Sequence, residues 1–199
     1  IVLSLDERGF EPVIVPAMGS HGGATPEGQR EVLAALGISA ETVGAPIDAR
    51  MTTQEVGTET VGETTMALHF YKAALESDAI LVVNRIKAHT NFTGPIESGL
   101  SKMTVVGLGK QHGAKSFHST AIKEGYVETL ETALATIQKS APPIAGIALL
   151  ENFYEEIAHV EAVSGSAFVD REPALLKRAY DEMATLPFDE IDLLVVDEL

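Results

Sequence analysis

Hydrophobic and polar positions follow two rhythms along this chain, and the switches between them mark its elements. Residues 1–10, IVLSLDERGF, read as part of a helix, and the apolar run EPVIVPA (11–17) predicts a short strand. A glycine-rich turn follows, Gly19-Ser20-His21-Gly22-Gly23. Thr25 and Pro26 then form a helix start, with Thr25 as N-cap and Pro26 at the first helical position. That helix runs to about Leu36, where Gly37 serves as its cap. Over 52–70 the β-branched residues predict short strands. Met66, Leu68 and Phe70 share one face there, and His69 takes the other. Residues 71–77 suit a short helix. AILVVN (79–84) is almost continuously apolar, as in a strand buried on both faces.

Beyond it, a glycine-rich loop over 92–101 leads into a helix near Lys102. Helical patterning over 113–139 breaks near Gly125 and stops at Pro142-Pro143. IAGIALLE (144–151) and IAHVEAV (157–163) predict strands, and 171–185 an amphipathic helix with Leu175, Leu176, Ala179 and Met183 on one side. After Pro187, IDLLVVD (191–197) predicts a further strand. Strands alternating with helices imply an α/β fold, a mainly parallel sheet with helices on both faces. Such sheets bind ligands beyond the carboxyl ends of their strands. Loops 18–25 and 85–102 meet that description, so His21 and His89 are expected to face each other across one crevice. The chain opens without Met and stops on a strand, and it reads as a fragment of a two-domain protein. Residues 1–186 would be a first α/β domain, and 187–199 the opening strand of a second.

Composition narrows the function classes. Hydrophobic residues make up 45% of the chain, enough for a core. The absence of cysteine excludes disulfides, cysteine-ligated metal and a thiol nucleophile. A net charge of −15 argues against non-specific nucleic-acid binding. No apolar run reaches the length of a membrane span and no signal peptide is visible, so a cytoplasmic location without membrane partners is expected. The charge is also uneven. Six of the fourteen Lys and Arg fall within 85–123, where Glu97 is the single acidic residue, and three of the six histidines join them. A local positive field of this kind attracts anions whatever the net charge elsewhere.

Each motif has a chemical and a plain reading. The glycine turn before the helix can bind an anion through its N–H groups, or be no more than a tight turn. It lacks the Lys-Ser/Thr of a P-loop and the GxGxxG of dinucleotide sites. Lys87 and His89 put a cation and a general acid/base at a strand end, unless His89 is only structural. Lys102, beside Val105 and Val106, is a lysine whose pKa burial would lower towards nucleophilicity, or a snorkelling surface residue. His112 and His118 suit nickel, zinc or copper, but six residues apart they do not share a helix face for one metal. Lys110 and Lys115 are phosphate partners or solvated charges.

Taken in order, Gly19-Ser20-His21, Lys87-Ala88-His89, Gly99 with Lys102, and Gly107 with His118 resemble the nickel-dependent lactate racemase family. The run HTxFxGxxESGLxKM, here His89 to Met103, is similar to that of one uncharacterised branch. The resemblance covers nearly the whole chain. It implies two α/β domains with the active site between them, and a nickel-pincer nucleotide, a pyridinium mononucleotide whose thiocarboxyl arms hold nickel. By the same resemblance Lys102 joins the cofactor as a thioamide, His118 ligates nickel, and His21 and His89 are the acid/base pair. The basic segment, with Lys87, Gly99 and Lys110, would face the cofactor phosphate and a substrate carboxylate. The implied reaction racemises or epimerises a small anionic 2-hydroxy acid by way of its 2-keto acid. Two other readings use the same scaffold: a metal-assisted lyase or dehydratase of sugar acids, and a non-catalytic binder of phosphorylated small molecules. Sequence leaves the hydroxy acid and the oligomeric state open.

Overall fold

A computed structural model describes residues 1–185 and 190–195. Its first half holds helix α1 (Val2–Asp6), α2 (Pro26–Ala35), the short α3 (Ala40–Val43), strands β1 (Thr53–Val61) and β2 (Thr64–Tyr71), α4 (Lys72–Leu75) and β3 (Ile80–Arg85). Then come α5 (Leu100–Lys102), running into a π-helical turn over Met103–Gly107, α6 (Lys110–Glu124), α7 (Tyr126–Ser140), β4 (Ile144–Glu151), β5 (Ile157–Ser164) and α8 (Phe168–Glu182). This is an α/β fold with helices flanking the sheets, as the alternation predicts.

The strand directions are mixed. β1 and β2 form an antiparallel hairpin with a bulge between Glu55 and Gly57. β3, β4 and β5 form a second sheet in that order, with β3/β4 parallel and β4/β5 antiparallel. The parallel pair needs a long crossover, and residues 86–143 supply it, carrying α5, α6 and α7. β2 buries Met66, Leu68 and Phe70 against α6 and α7, whose Phe117, Leu130, Leu134 and Ile137 complete one part of the core. Each such side chain gains about 1.5–3 kcal/mol on leaving water. α8 closes the inner face of β4. Its Leu175, Leu176 and Ala179 are buried, and Phe168 lies so near Gly146 that a Cβ there would sit 2.9 Å from its ring.

Several sequence expectations need correction. The strand predicted at 11–17 reduces to one parallel bridge, Ile14 with Ile47. Its two prolines and the lack of a longer partner leave it a tethered extended segment. β3 is not buried on both faces, since Leu81 is 39% and Val83 42% exposed while Val82 is buried. They share a sheet face with Val160 through the register Val83↔Ile147 and Leu149↔Val160, and that face is open among the described residues. α8 starts three residues earlier than predicted and leaves Met183 43% exposed past its end. The strand expected over 191–197 lies partly outside the described residues, and 191–195 form no strand. The domain boundary placed at 187 lies outside them too. The helix break at Gly125 and the Thr25 cap are as expected: Thr25 Oγ1 accepts from Gly28 N at 3.0 Å, and Gly125 carries φ +101. No helix among the described residues is long and apolar enough to cross a membrane.

Candidate functional site

Beyond the end of β3 the chain leaves the sheet and is at once pinned. Lys87 N donates to Ser98 O at 2.9 Å and Ser98 N to Lys87 O at 3.2 Å, so residues 88–97 form a closed loop. Inside it lies the Glu97 carboxylate, 2% exposed. It accepts from His89 N at 2.7 Å, from Gly94 N at 3.2 Å, and from the Tyr180 hydroxyl of α8 at 3.0 and 3.1 Å. Tyr126, at the start of α7, donates its hydroxyl to Glu97 O at 2.6 Å. Strand end, loop, α7 and α8 therefore meet at one glutamate.

The His89 ring rests on an aromatic wall. Its centroid is 4.9 Å from that of Phe92 and 5.9 Å from that of Tyr126, and Phe92 stacks on Tyr126 at 4.5 Å. Phe117 meets Tyr126 edge-on and also contacts the neighbouring His118 ring. Asn91 N donates to His89 Nδ1 at 3.1 Å. A backbone N–H can only donate, so Nδ1 is an acceptor and the neutral ring carries its proton on Nε2.

Lys102 closes the cluster from α5. Burial lowers the pKa of its ammonium, and Lys87 lowers it further. Burial likewise holds His89 below its usual value, with Lys102, His118 and Lys87 adding repulsion that Glu97 partly offsets. His118 is lowered by burial and then by Lys102. The structure thus places Lys102 near His89 and His118, and Lys87 near His89 and Lys102. Gly99 belongs here for reasons of space. A Cβ on it would collide with Glu172 Oε1 and lie 2.7 Å from Ile86 Cδ1. Glu172, 1% exposed, accepts from Ser101 N at 3.0 Å beneath α5, and burial raises its pKa.

Two predicted residues lie elsewhere. Lys110 is fully buried, and its Nζ donates to Pro16 O at 2.7 Å and Gln29 Oε1 at 3.0 Å beneath the Tyr71 ring. Its charge serves protein oxygens, so it lies apart from the cluster around His89. His21 is exposed on the glycine turn, where its backbone is hydrogen bonded. The turn packs backbone on backbone against α2, for a Cβ on Gly22 (φ +64) would sit 2.5 Å from the Gly28 carbonyl carbon. Two of its N–H groups are used internally, Gly19 N on Gly107 O and His21 N on Met18 O. The bond to Gly107 moors the turn beside the segment that follows Lys102. His112 faces the hairpin instead, its Nδ1 3.2 Å from Thr53 Oγ1. Among the described residues no group of three His, Asp or Glu is placed to hold a metal.

Sequence reasoning passed over Glu97, Tyr126, Glu172 and Tyr180. Two of these carried a signal. Glu97 is the single acid of a basic segment, and Glu172 falls on the apolar face of α8, in phase with Phe168, Leu175, Leu176 and Ala179.

The profile of a domain of unknown function, DUF362, matches residues 1–171. The chain belongs to the DUF362 family. No curated protein matches it. The DUF362 chain is also similar in fold to the crystal structure of a protein from Thermotoga maritima, a structural-genomics target. The TM-score is 0.64 at 18% identity, over 89% of this chain and 48% of that one. The chain thus spans about half the length of this structural relative. At that identity the likeness speaks for the α/β fold.

Proposed function

We propose that this protein is a racemase or epimerase of a 2-hydroxy acid that works with a nickel-pincer nucleotide. The observation that carries the reading is the gathering of His89 and His118 on one aromatic wall, with the charge of Lys102 acting on both rings and that of Lys87 on His89. The side chains suit the group. Lys102 is half-buried beside another cation, which favours the free amine needed for a covalent attachment. His118 is held neutral near pH 7, which leaves a nitrogen lone pair for a metal. With no trio of protein ligands gathered among the described residues, a metal here would take most of its donors from an organic ligand and one from the chain. When bound, the cofactor would supply a place for the Cα hydride between its removal and its return.

The chain's own residues do the rest. Lys87, exposed at the strand end, attracts the substrate carboxylate. His89 polarises the substrate oxygen with its Nε2–H, a hydrogen bond in which the neutral ring keeps its proton. His21 is the imidazole proposed as the base: it takes the hydroxyl proton and returns it when the alcohol is re-formed. Phe92, Tyr126 and Phe117 keep water from one side of the site. A cytoplasmic location fits this chemistry.

The test uses full-length protein produced together with the enzymes that make the cofactor. Bound nickel and a mass increase that disappears in Lys102→Ala are expected, with interconversion of 2-hydroxy-acid enantiomers. If neither nickel nor added mass is found under those conditions, the proposal is wrong.

A further inference from the structure

We propose that Glu97 is a positioning residue: its buried carboxylate, gripped by Tyr180, fixes the loop around His89 so that the imidazole presents Nε2–H to the site. A carboxylate among six cations would be expected to pair with one of them. Glu97 appears in no ion pair among the described residues. Its oxygens are committed to His89 N, Gly94 N and the Tyr180 hydroxyl. The first two of these bracket residues 89–94. Asn91 lies between them, and its N–H is the group that occupies His89 Nδ1. The carboxylate therefore acts on the ring at one remove: it sets the turn, the turn aims the Asn91 N–H, and that N–H decides which ring nitrogen keeps the proton.

The other end of the device reaches the helices. Tyr126 holds the Glu97 carbonyl from α7, and Tyr180 holds its carboxylate from the last turn of α8. A buried anion with three donors holds a tight geometry, and losing one partner is felt by the others. The His89 ring is thus set by contacts that touch neither a ligand nor each other directly. The chemical consequence alone rests on the acid/base reading above. With Nδ1 occupied, the neutral ring meets a ligand through Nε2, as a hydrogen-bond donor.

Histidine-selective ¹⁵N labelling of the full-length protein reads the tautomer without any need for activity. The wild type is expected to show His89 as a single neutral Nε2–H form. Glu97→Ala is expected to give a mixed tautomer population, and Glu97→Gln, which keeps an acceptor oxygen, to restore much of the wild-type signal. Tyr180→Phe is expected to lie between them. Where turnover is measurable, Glu97→Ala should lower kcat at least tenfold with a smaller change in KM, and Glu97→Gln should recover part of it. A folded Glu97→Ala protein with an unchanged single tautomer overturns the proposal. Should that variant not fold, an unchanged spectrum in Tyr180→Phe overturns it instead. The nitrogen spectra stand whether or not racemisation is found, so the two proposals fail separately.

Discussion

At position 99 a methyl group has nowhere to go. The Gly99 backbone is extended, a conformation open to any residue, so the constraint is purely spatial: Glu172 Oε1 and Ile86 Cδ1 occupy the volume of a Cβ. Overpacking of this kind costs roughly 1–3 kcal/mol. Gly99→Ala should therefore lower the denaturant midpoint by that amount and push α5 outward, carrying Lys102 with it. An unchanged midpoint would contradict the packing described. The same glutamate shows what residue-level reading reached. Its place on the apolar face of α8 was legible as an anomaly in the 3.6-residue pattern. Its contact with Ser101 N, seventy-one positions away, was not. Among the described residues Ser101 Oγ and Glu172 Oε2 have no partner although both are buried, a cost that a raised pKa reduces by favouring the neutral acid.

Between elements, the glycine turn and α2 are held from behind by Lys110. Gln29 relays the grip, for its Nε2 donates to Gly19 O at 3.1 Å and to His21 O at 3.3 Å while its Oε1 accepts from Lys110. Replacing Lys110 with Met leaves Pro16 O and Gln29 without a donor, and removes the burden of a buried ammonium. A net loss of about 1–3 kcal/mol is expected. The pH dependence is the sharper readout. Burial lowers the Lys110 pKa to about 8 from the 10.5 of an exposed lysine. Between these values the unfolded chain binds more protons than the folded one, so this residue makes stability rise from pH 8 towards pH 10.5. Thermal unfolding across that range should show the rise in the wild type and a flatter profile in Lys110→Met. Helix boundaries came through in the sequence because caps and breakers act locally, as at Thr25 and Gly125. The strand predicted at 11–17 did not form because a strand needs a partner, and among the described residues it finds a single bridge, Ile14 with Ile47. β3 misled for a related reason. Its apolar run says that the side chains avoid water, but not what covers them.

Across the whole molecule, an acidic chain gathers its site from one basic stretch, and five separated elements enclose it. Burial and like charge together hold His89 and His118 below the 6.5 of a free imidazole. Both are therefore neutral at pH 7, and an activity that needs them neutral should keep its acid limb below pH 6.5. A limb at or above that value, read from kcat/KM against pH, would count against their roles. The sign is the same for folding. Each depressed imidazole binds protons less readily than in the unfolded chain, so stability falls as pH drops below about 6.5. By itself the sequence determined the α/β alternation, the helix caps and the one basic segment. These rest on local propensity, periodicity and charge, which neighbouring residues decide among themselves. Only the tertiary structure decided that Lys110 turns inward, that β3 leaves one face open, and that Glu97 is held by Tyr180, eighty-three positions on. Those outcomes depend on which distant groups share one buried volume, and a buried polar group takes its role from the partner it finds there.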